Sequence, residues 1–596
     1  MTETVVPTCR ALRVATFIAC VLFALVVLWY LHDRQWNSYD DGAYLHVADR
    51  ILHGEVLNRD VQDVHAGYVN FANAGAMWLF GNDAVSPRYP LVAMGVVNAA
   101  VAFWLLSPYG TLAAVAASAA ATCLSCAQFM NPTAHWYALF LTLLTLVVMV
   151  RRPPGAASTQ LVLGLMVGLV FLFRQLTGVF VGAGVLLFLL VHLPQEGRGR
   201  QAWMGRGFVA LMALVLGVYF VKNVDVVAGL MYCTWPLLLL AWGVWNCRAA
   251  TKDVARMLAV FTAGFFTAAV PLVAYHVYHG SVHAWLDDAF FGALSLTALP
   301  FIDQYRYWRD VVGGAKAVVR PRDAVRALTG LFWVAALGLP VLHGVLAART
   351  LWRRPATSEE TLTPTLSRST GRGGKSGRFL YPAVSSPALP AALGPLPLMA
   401  AFYFPVALHL QKYMYFFFAA PVLVIGLLAI APAARGMRSV VAAGVCALSL
   451  LALVCLSGGT LRPGYRIRLT KDHGVPRCGV RLEDDVGRAY REILALTDRE
   501  TGKDDAIFAV PVHPELYYLT GRRNPTRFYN SALALHSAAE TRALLDAFER
   551  SPPRLVFYDP ESHYNTAESG RIMEWVRGRY EPLGTVGGFT VYRARG

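Results

Sequence analysis

Charge is what this chain has least of: Asp, Glu, Lys and Arg make up 15% of its 596 residues, hydrophobic side chains make up 56%, and the mean hydropathy is +0.45. So small a polar share excludes an ordinary soluble globule and marks an integral membrane protein. Acidic residues are the scarcer sign, 37 against 53 Lys and Arg, which leaves a formal charge of +16. An excess of that size invites a nucleic-acid reading. The Lys and Arg residues, however, sit in short runs between apolar spans, the pattern that encodes membrane topology, so nucleic acid is discounted as a partner.

Cysteine is sparse too. Of nine, Cys20, Cys123, Cys126, Cys233, Cys247, Cys446 and Cys455 lie within or beside apolar spans, where a thiol acts as a small hydrophobe. Cys123 and Cys126 have CxxC spacing without a second pair, so neither a metal nor a redox centre is read from them. The polar tail holds only Cys478, which excludes a disulfide framework there. A cleavage site is also missing: the apolar run 14–31 follows Arg10 and Arg13 but continues into HDRQWNSYDD, so it is expected to remain as an anchor.

What the chain has in abundance is apolar spans. About thirteen are expected, near residues 13–31, 88–106, 109–130, 134–150, 159–174, 177–194, 207–222, 225–246, 256–278, 326–348, 391–409, 413–432 and 437–457. With the N-terminus in the cytoplasm, alternation places Arg151 and Arg152, Arg198, Arg200 and Arg206, Arg248, Lys252 and Arg256, Arg353 and Arg354, and Arg435 and Arg438 on one side. Loops 32–87 and 279–325 and the tail then share the opposite, extracytoplasmic face. Residues 355–380, rich in Ser, Thr, Gly and Arg without apolar periodicity, read as a disordered cytoplasmic loop.

The expected division is a membrane domain over 1–459 and a soluble α/β domain over 460–596. In the tail, AIFAV (506–510), RLVFYD (554–559) and GGFTVYRAR read as strands, and 535–549 and 567–580 as amphipathic helices. The fold class is therefore an α-helical polytopic membrane protein with juxtamembrane helices and a small α/β domain.

The most informative stretch is SYDDGAYLHVADRILHG (38–54), two carboxylates at the head of an amphipathic segment. Tyr44, Val47, Ala48, Ile51 and Leu52 recur at helical spacing, with His46, Asp49, Arg50 and His53 on the other side, which predicts a helix lying flat on the bilayer. Asp40 and Asp41 suit a general base tuned by like-charge repulsion, or a shared divalent cation; an N-cap role for either is the structural alternative. Asp60 and Asp63 follow, with His65 two residues on, in NRDVQDVHAGYVNF, where a hydrogen-bonded turn competes with a role in holding a sugar or cation.

These motifs resemble the GT-C glycosyltransferases, in particular the branch of protein mannosyltransferases, lipid A aminoarabinose transferases and Rgt-type lipopolysaccharide transferases. SYDDGAYLHVADRILHGEVLNRDVQDVH is similar to that family's first outer loop, GLMVGLVFLFRQLTGVF (164–180) to its GLxxGLxFLxRQ stretch, and HLQKYMYFFFAAPVLVIGL (409–427) to its RYLLPLLPPLALL segment. The resemblance implies transfer of a sugar, with inversion, from a polyprenyl phosphate to a lipid A, polysaccharide or protein acceptor, with Asp40 as the catalytic base. His65, Ala66 and Gly67 stand where many relatives carry a lysine and prolines, a departure that bears on substrate identity.

A leaving phosphate needs matched charge in a low-dielectric site, so Arg174 and Lys412, at the outer ends of spans, are candidate ligands, with snorkelling to headgroups as the alternative. Tyr413 and His135 are grouped with them as substrate-binding residues. Trp136 reads equally well as an interfacial anchor. Lys222 is expected to pair with Asp225, Arg306 and Arg309 to lie in a solvated loop, Asp287 and Asp288 to form a solvated face, and GRRNPTRFYN to touch an anionic acceptor or form a turn. Two rivals stand beside the enzyme reading: a transporter or lipid flippase, and a non-catalytic scaffold that binds the carrier lipid.

Overall fold

The computed structural model describes residues 5–197, 199–292, 306–352, 389–432, 436–456, 469–470, 473–535 and 537–595. The loop 355–380 and the charges at Arg198, Arg353, Arg354 and Arg435 therefore lie outside the described residues. Long runs of Leu, Val, Ala and Phe can satisfy their backbone polar groups in a membrane only as helices. The chain forms α1 (Val5–Leu31), α2 (Ser38–Leu52), α3 (Tyr68–Phe80), α4 (Arg88–Leu106), α5 (Thr111–Cys123), α6 (Ala134–Arg151), α7 (Ala157–Phe173) and α8 (Gln175–His192). Then follow α9 (Trp203–Asn223), α10 (Val226–Asn246), α11 (Thr251–Tyr278), α12 (Tyr307–Val319), α13 (Ala324–Trp352), α14 (Pro395–Leu408), α15 (Tyr413–Ile430) and α16 (Met437–Cys455).

Among the described residues 11 helices are long and apolar enough to cross a membrane, and α7 and α14 are shorter apolar helices. Together they match the thirteen expected spans, and the chain is a multi-pass membrane protein. Helix α7 stops where Arg174 turns extended (φ −149°, ψ 106°) and starts α8 without an intervening loop. The hairpin closes because residue 178 is glycine: a Cβ there would sit 2.3 Å from the Phe171 Cα. That close approach leaves Arg174 at the tip.

The tail carries a four-stranded sheet in the order β3 (Ile507–Val510), β4 (Leu555–Tyr558), β6 (Phe589–Ala594), β5 (Tyr580–Val586), with β3–β4 parallel and the other pairs antiparallel. Two-residue strands β1 (Leu469–Thr470) and β2 (Leu482–Glu483) pair ahead of it. Helices α17 (Asp484–Glu500), α18 (Pro514–Thr520), α19 (Ala538–Arg550) and α20 (Ala567–Arg579) complete the α/β domain. The strands and helices read from the sequence are present; α17, α18 and β5 are additions, the apolar positions of α17 being separated by many charged ones.

Helix α2 does not lie open on a membrane surface. It packs on α3, while His46, Asp49 and Arg50 of its polar side are covered by the tail and His53 stays exposed. Gly42 lets α18 approach so closely that a Cβ would be 2.5 Å from the Glu515 backbone nitrogen. His46 is buried beside the rings of Tyr517 and Tyr529, Asp49 pairs with Arg477, and Arg50 donates to the Thr526 carbonyl at 2.9 Å. The polar face expected to meet water is answered instead by tail residues far along the chain. Leu45, Ala48, Ala74 and Met77 share one core with the tail's Leu516, Tyr517 and Val510. The tail and the first loop thus form one packed unit.

At this junction His513 lies buried between Glu515 (3.1 Å) and Asp559 (3.3 Å), with the Tyr39 ring against it. Burial opposes charge on His513, but the two carboxylates outweigh it and raise its pKa from 6.5 to about 9. A group with a raised folded pKa contributes stability that is complete below its unfolded pKa and is lost as pH rises through the folded value. Because His513, Glu515 and Asp559 all belong to the tail, the tail's own fold is accordingly expected to lose stability as pH rises from 6.5 through about 9. Melting temperatures of the detergent-solubilised protein across that range check it, and a His513→Gln variant should lose this slope.

Candidate active site beneath the tail

Asp40 and Asp41 both fall in the first turn of α2, where Asn37 is the N-cap. Successive helix residues point about 100° apart, so the two carboxylates cannot share an orientation. Asp41 turns inward: it accepts from the Asn37 backbone N–H at 2.8 Å and meets Arg88 Nη2 at 3.1 Å, both side chains being essentially fully buried. The N-cap is Asn37 and neither aspartate; Asp41 is instead a structural residue that accepts the N-cap backbone N–H and neutralises a buried guanidinium. A cation bridged between the two aspartates does not fit these residues. Among the described residues no group of three or more His, Cys, Asp or Glu side chains is placed to hold a metal ion.

Asp40 faces the other side, where its carboxylate accepts a long 3.3 Å hydrogen bond from the Asn37 side chain. Burial, and then the Asp41 charge, raise its pKa to about 6, against the opposing pull of Lys412 and His65. A carboxylate of that affinity is suited to taking a proton near neutrality.

His65 stands close to Asp40. Its Nδ1–H donates to Asp63 Oδ1 at 2.6 Å, and the same oxygen accepts the His65 backbone N–H at 2.6 Å. Because a carboxylate only accepts, the Nδ1 proton is fixed, and Nε2 faces the Tyr44 hydroxyl at 3.3 Å. Tyr44 in turn contacts the Thr133 hydroxyl at 3.0 Å. Asp60 belongs to the turn before this, accepting from the Val56 N–H at 2.7 Å and pairing with Arg59.

The cations come from helix starts. Arg174 is the N-cap residue of α8 and Lys412 of α15, and His135 lies in the first turn of α6. The positive ends of three dipoles add to the side-chain charges, an arrangement that favours an anion. Arg174 has no carboxylate partner among the described residues, and its buried Nε–H lacks a hydrogen bond. Its charge and that of Asp40 both act on Tyr44 and Tyr415. Lys412 couples electrostatically to Asp40, and burial lowers its pKa. His135 stacks on Phe418 at 3.7 Å with Tyr415 edge-on at 5.1 Å. Trp136 is buried, its indole donating to the Phe129 carbonyl at 3.0 Å.

Asp40, Asp63, His65, His135, Arg174 and Lys412 therefore belong to one neighbourhood. Tyr413 does not join it: 58% exposed, with its ring 6.5 Å from Trp333, it stands outside while Tyr415, two residues on, takes the inward place. In the sequence Tyr44 has a place on the apolar stripe of α2 but no role in a site, and Tyr415 does not stand apart from the other aromatics of its apolar run.

Three expectations for neighbouring charges need correction. Asp225 accepts from the Gln411 amide at 2.8 Å and approaches Arg306 at 3.7 Å, which holds the turn before Lys412, so it is not the partner of Lys222 and Arg306 is not merely solvated. Asp287 is half-exposed beside His283, but Asp288 is buried against Arg527, because the tail covers it. Arg527 of the GRRNPTRFYN turn thus meets a protein carboxylate. A cavity of about 610 Å³ lined by Trp235, Val345, Ala348, Arg349 and Trp352 involves none of the site residues.

No family model and no curated protein matches the chain. Among solved structures it is similar to an Archaeoglobus fulgidus oligosaccharyltransferase crystallised with Zn and sulfate, at 12% identity over 96% of this chain and 73% of that one, with a TM-score of 0.44. It is also similar to ArnT from Cupriavidus metallidurans, bound to undecaprenyl phosphate (10% identity, TM-score 0.38) and in the apo state (11%, 0.39), each over 97% of both chains.

Proposed function

We propose that this chain is a membrane glycosyltransferase of GT-C type that moves a sugar from a polyprenyl phosphate to a lipid A, polysaccharide or protein acceptor on the extracytoplasmic face of a bacterial inner membrane. The observation that carries the reading is Asp40, a buried carboxylate with pKa raised to about 6 and coupled to Lys412 at one helix N-terminus, while Arg174 at another acts with it on Tyr44 and Tyr415. Asp40 takes the proton of the acceptor hydroxyl as its oxygen bonds to the anomeric carbon. The bond from that carbon to the phosphate oxygen breaks, its electron pair stays on the phosphate, and Arg174 and Lys412 balance the charge. Attack opposite the leaving group inverts the anomeric centre.

Asp63 fixes His65 so that Nε2 stays beside Tyr44, which makes the pair a positioning element for sugar or acceptor. The basic loops support this orientation, with the N-terminus in the cytoplasm and the tail outside.

The test is label transfer from undecaprenyl-phosphate hexose and pentose donors into the lipid, glycan and protein fractions of membranes containing the protein. Transfer should rise with pH through about 6, as the base ionises. Movement of the labelled lipid across vesicles without sugar transfer would instead identify a flippase.

A further inference from the structure

The loop that carries Asp63 and His65 is held by the tail. Asp288 is buried, and three groups converge on it: Arg527 Nη2 as an ion pair, Asn58 Nδ2 at 3.1 Å and Gln62 Nε2 at 3.5 Å. The same Asn58 amide donates to the Asp63 carbonyl at 2.8 Å, and the Gln62 backbone N–H donates to the Arg527 carbonyl at 2.9 Å. A continuous chain of polar contacts therefore runs from Arg527 through Asp288 and Asn58 to Asp63, whose carboxylate orients His65. Arg50 of α2 fastens the same segments, donating to the Thr526 and Asp60 carbonyls at 2.9 and 2.8 Å.

We infer that Arg527 is a positioning residue for the Asp63–His65 pair, acting through Asp288, so that the tail is a working part of the site rather than an appended module. This rests on the glycosyl-transfer reading of that site. Burial pushes the Asp288 pKa up to about 6, and Arg527 is the first of the groups that oppose it; without the guanidinium, the carboxylate loses charge and its hold on Asn58 and Gln62 weakens.

The test compares Arg527→Ala and Arg527→Lys with the unmodified full-length protein in detergent, by hydrogen–deuterium exchange and by label transfer. In Arg527→Ala, exchange over 58–66 should quicken about tenfold, with the membrane spans unchanged. Transfer should fall roughly 10–100-fold in kcat with a smaller change in donor KM. Arg527→Lys, which keeps the charge, and guanidinium added to Arg527→Ala should each restore part of both. Unchanged exchange over 58–66 overturns the inference. Quickened exchange with undiminished transfer overturns it as well, because the grip would then be structural only. Absence of transfer by the unmodified protein overturns the functional reading instead, and the exchange still decides whether Arg527 orders the loop.

Discussion

Replacing Asp40 by Asn is expected to lower sugar transfer by about 10²–10⁴-fold while the protein stays folded and still binds undecaprenyl phosphate. The substitution keeps the shape of the side chain and removes only its capacity to take a proton. The long hydrogen bond from the Asn37 side chain survives the change, because an amide oxygen accepts it as a carboxylate oxygen does. Asp41→Asn is the informative control. It leaves the buried Arg88 without its counter-charge, so its effect should appear in yield and melting temperature rather than in a selective loss of turnover. Rates at saturating donor, with melting curves for both variants, separate the two roles. A transporter or scaffold would tolerate Asp40→Asn.

Replacing Arg174 by Ala is expected to cost roughly 10²–10³-fold in turnover, the scale seen when a preorganised charge at a developing anion is lost. Arg174 sits at the tip of the α7–α8 hairpin with no carboxylate partner among the described residues, so its removal breaks no ion pair there. Negative charge builds on the phosphate as the sugar departs, and a cation fixed there stabilises that charge more than it stabilises the bound donor. The loss should therefore fall on kcat more than on donor KM, and Arg174→Lys should recover part of it. If Arg174 only snorkels to headgroups, transfer will be unchanged in both variants.

The membrane architecture was legible because spans are written in composition. The two short helices have local causes: α7 is cut by the turn at Arg174, and α14 begins at a proline. Of the residues in the proposed site, those that local grammar marks were readable as candidates: the acidic pair heading α2, the Asp63–His65 spacing, and the cations at span ends. What was not readable depends on distant contacts. Nothing local distinguishes Asp40 from Asp41; Arg88 makes the difference by claiming the second. Tyr413 and Tyr415 share one aromatic run, and only helix phase sends one outward and the other to His135. Periodicity gave α2 a wet face that the tail covers, and the same covering buries Asp288, which has the same residue type beside it at Asp287 and a different fate.

The most direct measurement is the position of the phosphate in a structure of the protein bound to undecaprenyl phosphate. The account expects it within ion-pair distance of both Arg174 and Lys412, with the Asp40 carboxylate facing the space beside it where the sugar and acceptor meet. A phosphate bound away from those two cations, with Asp40 on no path to it, would contradict the account.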